Sequence, residues 1–239
     1  MKAVILAGGR GTRARPYTDY IPKAMIPIGD RPLIDYVVEY VGASDIIDGV
    51  VIIADFDGVG GQIRNYFEGS SYKVSTTLVQ DSNSGTGGDL LHAEPYLKDS
   101  SEFLLWFVDN LCALDISGMA KHLRQKQSLA CIATRTRRRE ETGFADVSDG
   151  VVRRFVEKPV VGLPMAECLG MYVLSTDILP RIRAAGSNVN LSYDILQNES
   201  QNGAVSAYEI KADWLDVSSP AHLERNRELA KSIIQQMAR

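Results

Sequence analysis

The chain opens with a short apolar strand that runs directly into a loop of glycines and arginines. Residues 2–6 read Lys-Ala-Val-Ile-Leu, and residues 7–13 read Ala-Gly-Gly-Arg-Gly-Thr-Arg. A buried strand that ends in such a loop places bare backbone N–H groups and guanidinium charge at the carboxyl edge of a sheet, where α/β proteins bind phosphates. The opening therefore predicts an α/β fold with a nucleotide-type site.

The residues around this loop also bear on other interpretations of it. Residues 9–14 also match the dinucleotide-binding fingerprint, and Asp30 lies near the expected ribose-binding distance of about 20 residues. That fold needs a helix to begin at the glycines, whereas prolines from Pro16 to Pro32 interrupt the segment. A kinase-type P-loop is excluded because no Gly-Lys-Ser/Thr follows at the required distance. A ligand-free turn, in which glycine supplies positive φ, is the plainer alternative.

Further motifs follow in chain order. They are residues 16–18 (Pro-Tyr-Thr), 22–28 (Pro-Lys-Ala-Met-Ile-Pro-Ile), 31–34 (Arg-Pro-Leu-Ile), 85–88 (Gly-Thr-Gly-Gly), an apolar strand 103–108 followed by Asp109-Asn110, Gly143, 157–159 (Glu-Lys-Pro), 169–173 (Leu-Gly-Met-Tyr-Val) and 214–217 (Trp-Leu-Asp-Val). The series closely resembles the sugar-1-phosphate nucleotidyltransferases, whose signature is Gly-Gly-x-Gly-Thr-Arg-Leu-x-Pro-Leu-Thr, then Pro-Lys and a Pro-x-Ile/Leu strand. The resemblance covers nearly the full chain.

The chain departs from the family pattern at four places. Ala14 replaces a leucine, Gly87 an alanine and Val108 a glycine, and Ser218-Ser219-Pro220 replaces Gly-Thr-Pro. No charged group of the expected site is lost. The departures change small residues, whose shape recognises the base and the sugar in this family. The sequence therefore does not determine which base and which sugar are bound.

The resemblance implies a Rossmann-like, mostly parallel mixed sheet with helices on both faces, as in the nucleotidyltransferase and glycosyltransferase-A folds. Alternating strand and helix patterns agree with that class. We expect one domain over residues 1–239, with a nucleotide-binding lobe at about 1–110, a sugar-phosphate-binding lobe at about 111–217 and a C-terminal helix at 218–239. Larger family members append a left-handed β-helix, and no hexapeptide repeat predicts a C-terminal β-helix domain here.

Periodicity and turn residues place the individual elements. Strands are predicted at 2–6, 50–54, 74–79, 103–108, 129–134, 151–157, 168–174 and 204–209. Helices are predicted at 32–42, 60–67, 88–97, 116–126, 176–184, 193–201 and 220–237. A hairpin is expected between residues 145–148 and 151–155, across Asp149-Gly150.

The reaction that the resemblance implies is transfer of a nucleotidyl group from a nucleoside triphosphate to a sugar 1-phosphate, with release of pyrophosphate. Two anions must meet, so the barrier is largely charge repulsion and positioning. The resemblance assigns Arg13 to the leaving phosphates and Lys23 to the sugar phosphate and the α-phosphate. It assigns Asp109 and Asp216 to one Mg²⁺, the implied cofactor. Without the resemblance, either aspartate fits a turn or helix cap better.

The resemblance also assigns the binding residues. The nucleotide is expected to contact Ala7, Gly8, Gly9, Gly11, Thr12, Arg13, Gln80, Gly85 and Thr86, and the glycines of 85–88 are expected to leave room for the base. The sugar phosphate is expected to contact Asp109, Gly143, Glu157, Lys158 and Gly170.

Glucose 1-phosphate with dTTP or UTP is the preferred substrate pair. A mannose-1-phosphate guanylyltransferase, or another small uridylyl- or cytidylyltransferase, is the alternative. An alternative of another class is a catalytically inactive subunit that senses nucleotide sugars. Such proteins tend to lose charged site residues, and here those residues are all present. The sequence does not determine the oligomeric state, and it is compatible with a homo-oligomer.

Charge and composition exclude two classes of binding partner, nucleic acids and membranes. A formal net charge of −4 argues against nucleic acid, and no apolar run reaches the roughly 18 residues that span a bilayer, so a cytoplasmic protein without membrane partners is expected. Cys112, Cys131 and Cys168 are expected to be core thiols.

Three histidines, His92, His122 and His222, fall on separate helices and are expected to be surface or packing residues. The run of arginines at 135–139 is interpreted as a solvated loop, with a phosphate or subunit contact as the alternative.

Overall fold

A mixed seven-stranded sheet forms the centre of the computed structural model, which describes residues 1–9 and 11–238. The thirteen strands of the described part are β1 Lys2–Leu6, β2 Pro27–Ile28, β3 Arg31–Pro32, β4 Gly49–Ala54, β5 Thr76–Gln80, β6 Glu102–Phe107, β7 Asn110–Cys112, β8 Ala130–Arg139, β9 Phe144–Ser148, β10 Val151–Val156, β11 Val160–Ser175, β12 Val205–Glu209 and β13 Trp214–Asp216. The central sheet has the order β12-β8-β11-β6-β1-β4-β5, and β2–β3, β7–β13 and β9–β10 form separate pairs.

Helices cover both faces of this sheet. The α-helices of the described part are α1 Leu33–Gly42, α2 Gly61–Glu68, α3 Gly85–Leu90, α4 Ile116–Lys126, α5 Ile178–Ala185, α6 Gln197–Gln201, α7 Pro220–Arg225 and α8 Arg227–Met237. In β1, Ala3 and Ile5 face one apolar cluster with α1, α2, α4 and α8, while Val4 faces a second cluster with α3 and α5. This alternation is the period of a strand buried on both sides. The predicted Rossmann-like fold class is confirmed.

Parallel pairing places four strand ends at one edge. Strands β5, β4, β1 and β6 are parallel neighbours, whereas β11 runs antiparallel between β6 and β8. Every residue of β4 is buried, and its sequence Gly-Val-Val-Ile-Ile-Ala is the continuous apolar run expected of a central parallel strand. The carboxyl ends of β1, β4, β5 and β6 therefore meet in one crevice.

Several predicted elements differ from the observed ones. The arginine run at 135–139 is not a loop: it continues β8, whose outer half pairs with a β11 that begins at Val160 rather than at 168. The predicted helix at 220–237 is broken at Asn226 into α7 and α8. The region 88–97 begins earlier, at Gly85, and ends as a 3₁₀ helix, Leu91–Tyr96. Pro95 lies inside that segment and removes a backbone donor, which disfavours a continuing α-helix.

Other predictions hold. Helix α4 has the expected bounds, with the Asp115 side chain accepting from Gly118 N at its start and Gln127 in the left-handed region at its end. The hairpin of β9 and β10 turns through Asp149 and Gly150, both with positive φ, as a two-residue turn requires.

The three cysteines divide into two groups. Cys112 and Cys131 are buried, as expected, but Cys168 is exposed because it lies on the part of β11 that projects beyond the helices. No helix in residues 1–9 or 11–238 has both the length and the apolar character needed to cross a membrane.

The central strand should carry much of the stability. Ile52 of β4 is fully buried, so Ile52→Ala should lower the free energy of unfolding by about 2–5 kcal/mol, measured by urea denaturation. Val152→Ala on the exposed hairpin removes a comparable side chain and should change it by only about 0.5 kcal/mol. Equal losses in the two variants would contradict the assignment of the core.

Candidate active site

The crevice lies where the order of the strands reverses. From β1 the chain crosses to β4 and β5 on one side, then returns to β6 on the other side of β1. The carboxyl ends of neighbouring strands β1 and β6 consequently lead into loops that diverge, and such a switch point is where α/β sheets bind ligands.

The loop after β1 wraps tightly around its glycines. Gly11 has φ of +59°, and a Cβ at this position would lie 2.7 Å from Thr18 Cγ2. The Thr18 hydroxyl and Ala14 N both donate to Gly11 O, at 2.8 Å each. A side chain at residue 11 would strain this turn, so the glycine is required by the backbone. Arg10 lies outside the described residues.

A buried ion pair joins this loop to the end of β6. Lys23 begins a 3₁₀ turn, Lys23–Met25, and its Nζ lies 2.5 Å from Asp109 Oδ2. The Lys23 side chain is 10% exposed and that of Asp109 24%. A charge as buried as that of Lys23 is tolerated only when it is paired, and the partly exposed carboxylate of Asp109 provides the partner.

A short strand pair brings the second aspartate beside the first. Strand β13 pairs antiparallel with β7, with Asp216 opposite Asn110, and Val217 N donates to Asp109 O at 2.7 Å. Burial and the charge of Asp109 raise the pKa of Asp216, while Lys23 and Arg13 act in the opposite direction. The two predicted metal ligands therefore converge, and the two predicted cations lie near enough to influence them.

The donor set fits a divalent cation that also has ligands from a substrate. Asp216 Oδ1 is buried and has no hydrogen-bond partner in the described part of the chain. Buried carboxylate oxygens are normally satisfied, so this one is suited to an added cation. The described residues contain no cluster of three or more His, Cys, Asp or Glu side chains that could hold a metal alone. Mg²⁺ is commonly held by one or two carboxylates together with phosphate oxygens.

A cavity of about 250 Å³ opens beside the ion pair. It is lined by Leu6, Ala7, Gly9, Gly11, Thr12, Arg13, Lys23, Thr86, Phe107, Val108, Asp109 and Ser218. The structure thus brings together eight of the residues predicted for nucleotide binding or catalysis, from the loop after β1, the end of β6 and the start of α3. Their cationic and backbone groups face a space of phosphate-binding character.

A second cavity of about 350 Å³ lies on the other side of the loop. Gly8 lines it together with Asp55 and Asp57, from the end of β4, and Asn83. Gln80 has its amide engaged nearby: its Oε1 accepts from Phe56 N at 3.2 Å, and its Nε2 donates to Asp55 Oδ1 at 3.1 Å. The charged side chains that line this cavity have both signs, since Arg15 and Lys23 face it as well as Asp55 and Asp57.

Two glycines of the 85–88 loop have a packing role that the sequence did not show. A Cβ on Gly85 would lie 2.5 Å from Val189 O, and one on Gly87 would lie 2.9 Å from Val189 Cγ1. Gly87 N donates to the same carbonyl at 2.8 Å. Because these two glycines have no side chain, the residue Val189 can pack directly against the loop. Contact of Gly85 and Thr86 with a base stays a prediction.

The predicted sugar residues other than Asp109 lie outside the lining of the 250 Å³ cavity within the described chain. Glu157 and Lys158 follow β10 and are exposed, and Lys158 has φ of +48°, an uncommon conformation for a lysine. Gly143 makes room for the Phe155 ring, whose Cζ would lie 2.3 Å from an added Cβ. Their contact with a sugar phosphate stays a prediction.

Sequence reasoning missed one histidine at the site. His222 was expected to be a surface or packing residue, but its Nδ1 lies 2.8 Å from Asp216 O, and its Nε2 lies 3.5 Å from Glu141. The Ser219 side chain caps α7 and so places His222 on the turn beside Asp216. The cap sequence Ser-Pro-Ala-His was the available signal.

Comparison with known proteins gives one family match. The family model described as nucleotidyl transferase matches residues 2–232. Curated relatives include mannose-1-phosphate guanyltransferase from Emericella nidulans, which is 29% identical over 92% of this chain, and mannose-1-phosphate guanyltransferase beta-A from Xenopus laevis, which is 26% identical over 92%. The chain spans 61% and 62% of the lengths of these two proteins.

Solved structures agree with the fold. A UDP-glucose pyrophosphorylase in complex with UDP-glucose superposes with a TM-score of 0.69 at 23% identity, over 97% of this chain and 98% of that one. HddC from Yersinia pseudotuberculosis gives 0.69 at 22% identity, over 95% and 98%. These likenesses support the fold, and the family match extends over almost the whole sequence. The chain therefore belongs to the nucleotidyl transferase family, in the sugar-1-phosphate nucleotidyltransferase group that its motifs resemble.

Proposed function

We propose that this protein transfers a nucleotidyl group from a nucleoside triphosphate to a sugar 1-phosphate and releases pyrophosphate. The observation that carries the proposal is the convergence of Arg13, Lys23, Asp109 and Asp216 at the switch point of the sheet. Family membership and the names of the curated relatives support it.

The cations address the main obstacle to this reaction. The attacking sugar phosphate and the α-phosphate are both negative, so positive charge held in a fixed position lowers the barrier. Lys23 is paired with Asp109 and lines the cavity, where it would meet both anions. Arg13 lines the same cavity and is exposed to solvent, and it would neutralise the departing pyrophosphate.

Asp109 and Asp216 are proposed to hold Mg²⁺. When bound, this ion polarises the α-phosphate and orients both substrates. The chain's own contribution is to present two carboxylates side by side through the β7–β13 pair, with the unpartnered Asp216 Oδ1 available.

The base is proposed to be guanine. The relatives are named guanyltransferases, which favours the alternative over the dTTP or UTP preferred from sequence, a preference that is not confirmed. The 350 Å³ cavity beside Gly8 is lined by Arg15 and Lys23 and also by Asp55 and Asp57, whose carboxylates offer acceptors. Guanine presents N1–H and N2–H₂ donors, whereas uracil and thymine present one donor between two acceptors. Carboxylates accept only, so they suit the guanine edge.

The two lobes are proposed to divide the substrates. Residues up to about 110 would hold the nucleotide, and the extension formed by β8 to β11 would hold the sugar phosphate through Glu157 and Lys158. In the central sheet, β11 lies next to β6, and the end of β6 forms part of the crevice. The second lobe is therefore adjacent to the crevice.

The substrates can be tested with a matrix of GTP, dTTP, UTP, CTP and ATP against mannose 1-phosphate and glucose 1-phosphate. We expect pyrophosphate release with Mg²⁺ present, fastest with GTP and mannose 1-phosphate. Faster turnover with dTTP or UTP would overturn the guanine assignment only. Nucleotide binding without pyrophosphate release from any pair would instead favour the regulatory alternative.

The metal role can be tested at Asp216. Asp216→Asn should raise the Mg²⁺ concentration needed for half-maximal turnover by more than tenfold, because even the loss of a residue that supports a ligand costs about 10–100-fold. Asp213→Asn, three residues away and exposed, is the matched control and should behave as wild type. An unchanged Mg²⁺ dependence in Asp216→Asn would remove this residue from the metal site.

Arg13 gives a test of transition-state charge. Arg13→Ala should slow turnover on the order of a hundredfold, as for loss of one preorganised charge-stabilising group, with a smaller loss of triphosphate affinity. The control is Arg183→Ala, which removes an exposed arginine that pairs with Glu94 and is distant in sequence from the residues of the crevice. This variant should have wild-type kinetics. A pure affinity loss in Arg13→Ala would argue that Arg13 acts in binding alone.

A further inference from the structure

Both tryptophans of the chain donate their indole N–H to one asparagine beside Asp109. Trp106 Nε1 lies 2.9 Å from the backbone oxygen of Asn110, and Trp214 Nε1 lies 2.9 Å from Asn110 Oδ1. Asn110 is only 4% exposed. A buried asparagine held at two oxygens by two indoles has its backbone and side chain fixed together.

The second of these bonds decides which way the amide points. An indole N–H only donates, so the atom that faces Trp214 is the amide oxygen and Nδ2 lies on the other side. There Nδ2 is 2.9 Å from Phe107 O and 3.0 Å from Asp109 Oδ1, which are both acceptors. Each polar atom of the Asn110 side chain is thus matched with a partner of the opposite kind.

The Asp109 carboxylate is consequently held at both of its oxygens. Asn110 donates to Oδ1, and Lys23 donates to Oδ2. A carboxylate fixed at both ends cannot rotate, so its remaining lone pairs keep one direction. Groups that orient a metal ligand in this way strongly affect metal affinity.

We propose that Asn110 is a positioning residue for the metal site and that Trp214 acts through it by fixing the orientation of its amide. The inference rests on the proposed function, in which Asp109 is a ligand of the divalent cation. Asn110 itself touches neither substrate nor metal in this role.

Packing around the amide leaves it little freedom. A Cβ on Gly170 of β11 would lie 2.4 Å from Asn110 Nδ2, so this glycine, expected at the sugar, provides the space that the amide occupies. The guanidinium of Arg135 lies 4.5 Å from the centre of the Trp214 ring and pairs with Glu167 at 2.7 Å. Trp214 is held in turn by the strands of the sugar lobe.

Two variants disturb the amide by independent routes. Trp214→Phe keeps an aromatic ring but removes the N–H that orients Asn110. Gly170→Ala keeps every polar group but pushes on Nδ2. Mn²⁺ binding to the protein in the presence of GTP or UTP and without sugar 1-phosphate, followed by electron paramagnetic resonance of the free ion, should show one site in wild type that the nucleotide alone does not provide. In each variant the dissociation constant of Mn²⁺ at this site should rise roughly tenfold or more.

Kinetics supply a second readout that simple loss of stability would not produce. In both variants the Mg²⁺ concentration for half-maximal turnover should rise, and in Trp214→Phe kcat at saturating Mg²⁺ should stay near the wild-type value. The control is Tyr36→Phe, which removes a 2.7 Å hydrogen bond to Ile28 O elsewhere and should leave Mn²⁺ affinity unchanged. Thermal unfolding of each variant shows that all measurements are made on folded protein.

The outcomes separate this inference from the proposed function. Wild-type binding of Mn²⁺ with unchanged affinity in both variants would overturn the positioning role and leave the metal site in place. Absence of a protein-dependent Mn²⁺ site in wild type with either nucleotide present would overturn the metal site and this inference together. A raised dissociation constant in both variants, with the control unaffected, supports the positioning role even if no nucleotide and sugar pair is turned over.

Discussion

The buried ion pair of Lys23 and Asp109 is the contact on which the candidate site depends. It joins segments 86 residues apart, one from the loop after β1 and one from the end of β6, at the point where strand order reverses. Removing one partner of a fully buried pair typically costs about 3–5 kcal/mol, and the cost should be smaller here because Asp109 is partly exposed. The pair therefore joins the loop after β1 to the proposed metal ligand and holds both at this edge of the sheet.

A second constraint comes from outside the central sheet. The three-residue pair of β7 and β13 sets Asp216 opposite Asn110, and the Ser219 cap then places His222 against Asp216 O. Two strands too short to be stable alone hold the C-terminal segment over the crevice. Their position depends on the side chains around Asn110, which include the buried indole of Trp106 and the partly buried indole of Trp214.

Glycines in the motifs serve the protein's own packing as well as any ligand. A Cβ on Gly8 would lie 1.7 Å from Asp81 Oδ2, one on Gly170 would meet Asn110, and one on Gly143 would meet Phe155. Burial raises the pKa of Asp81, and its neighbours Asp89 and Asp55 act in the same direction. A glycine in a family motif is thus not by itself a measure of how closely a substrate approaches.

Local pattern was sufficient for the fold class, for most strands and for the loop after β1, because strand period, turn glycines and caps are set by neighbouring residues. It was insufficient where distant segments decide the outcome. The arginines at 135–139 are strand because β11 pairs with them, and Gly85 and Gly87 pack on Val189, about a hundred residues away in sequence. The resemblance named Asp109 and Asp216, but their convergence, the orientation of Asn110 and the place of His222 follow from long-range pairing and buried hydrogen bonds. Such contacts depend on how the whole chain packs, which no short stretch of sequence specifies.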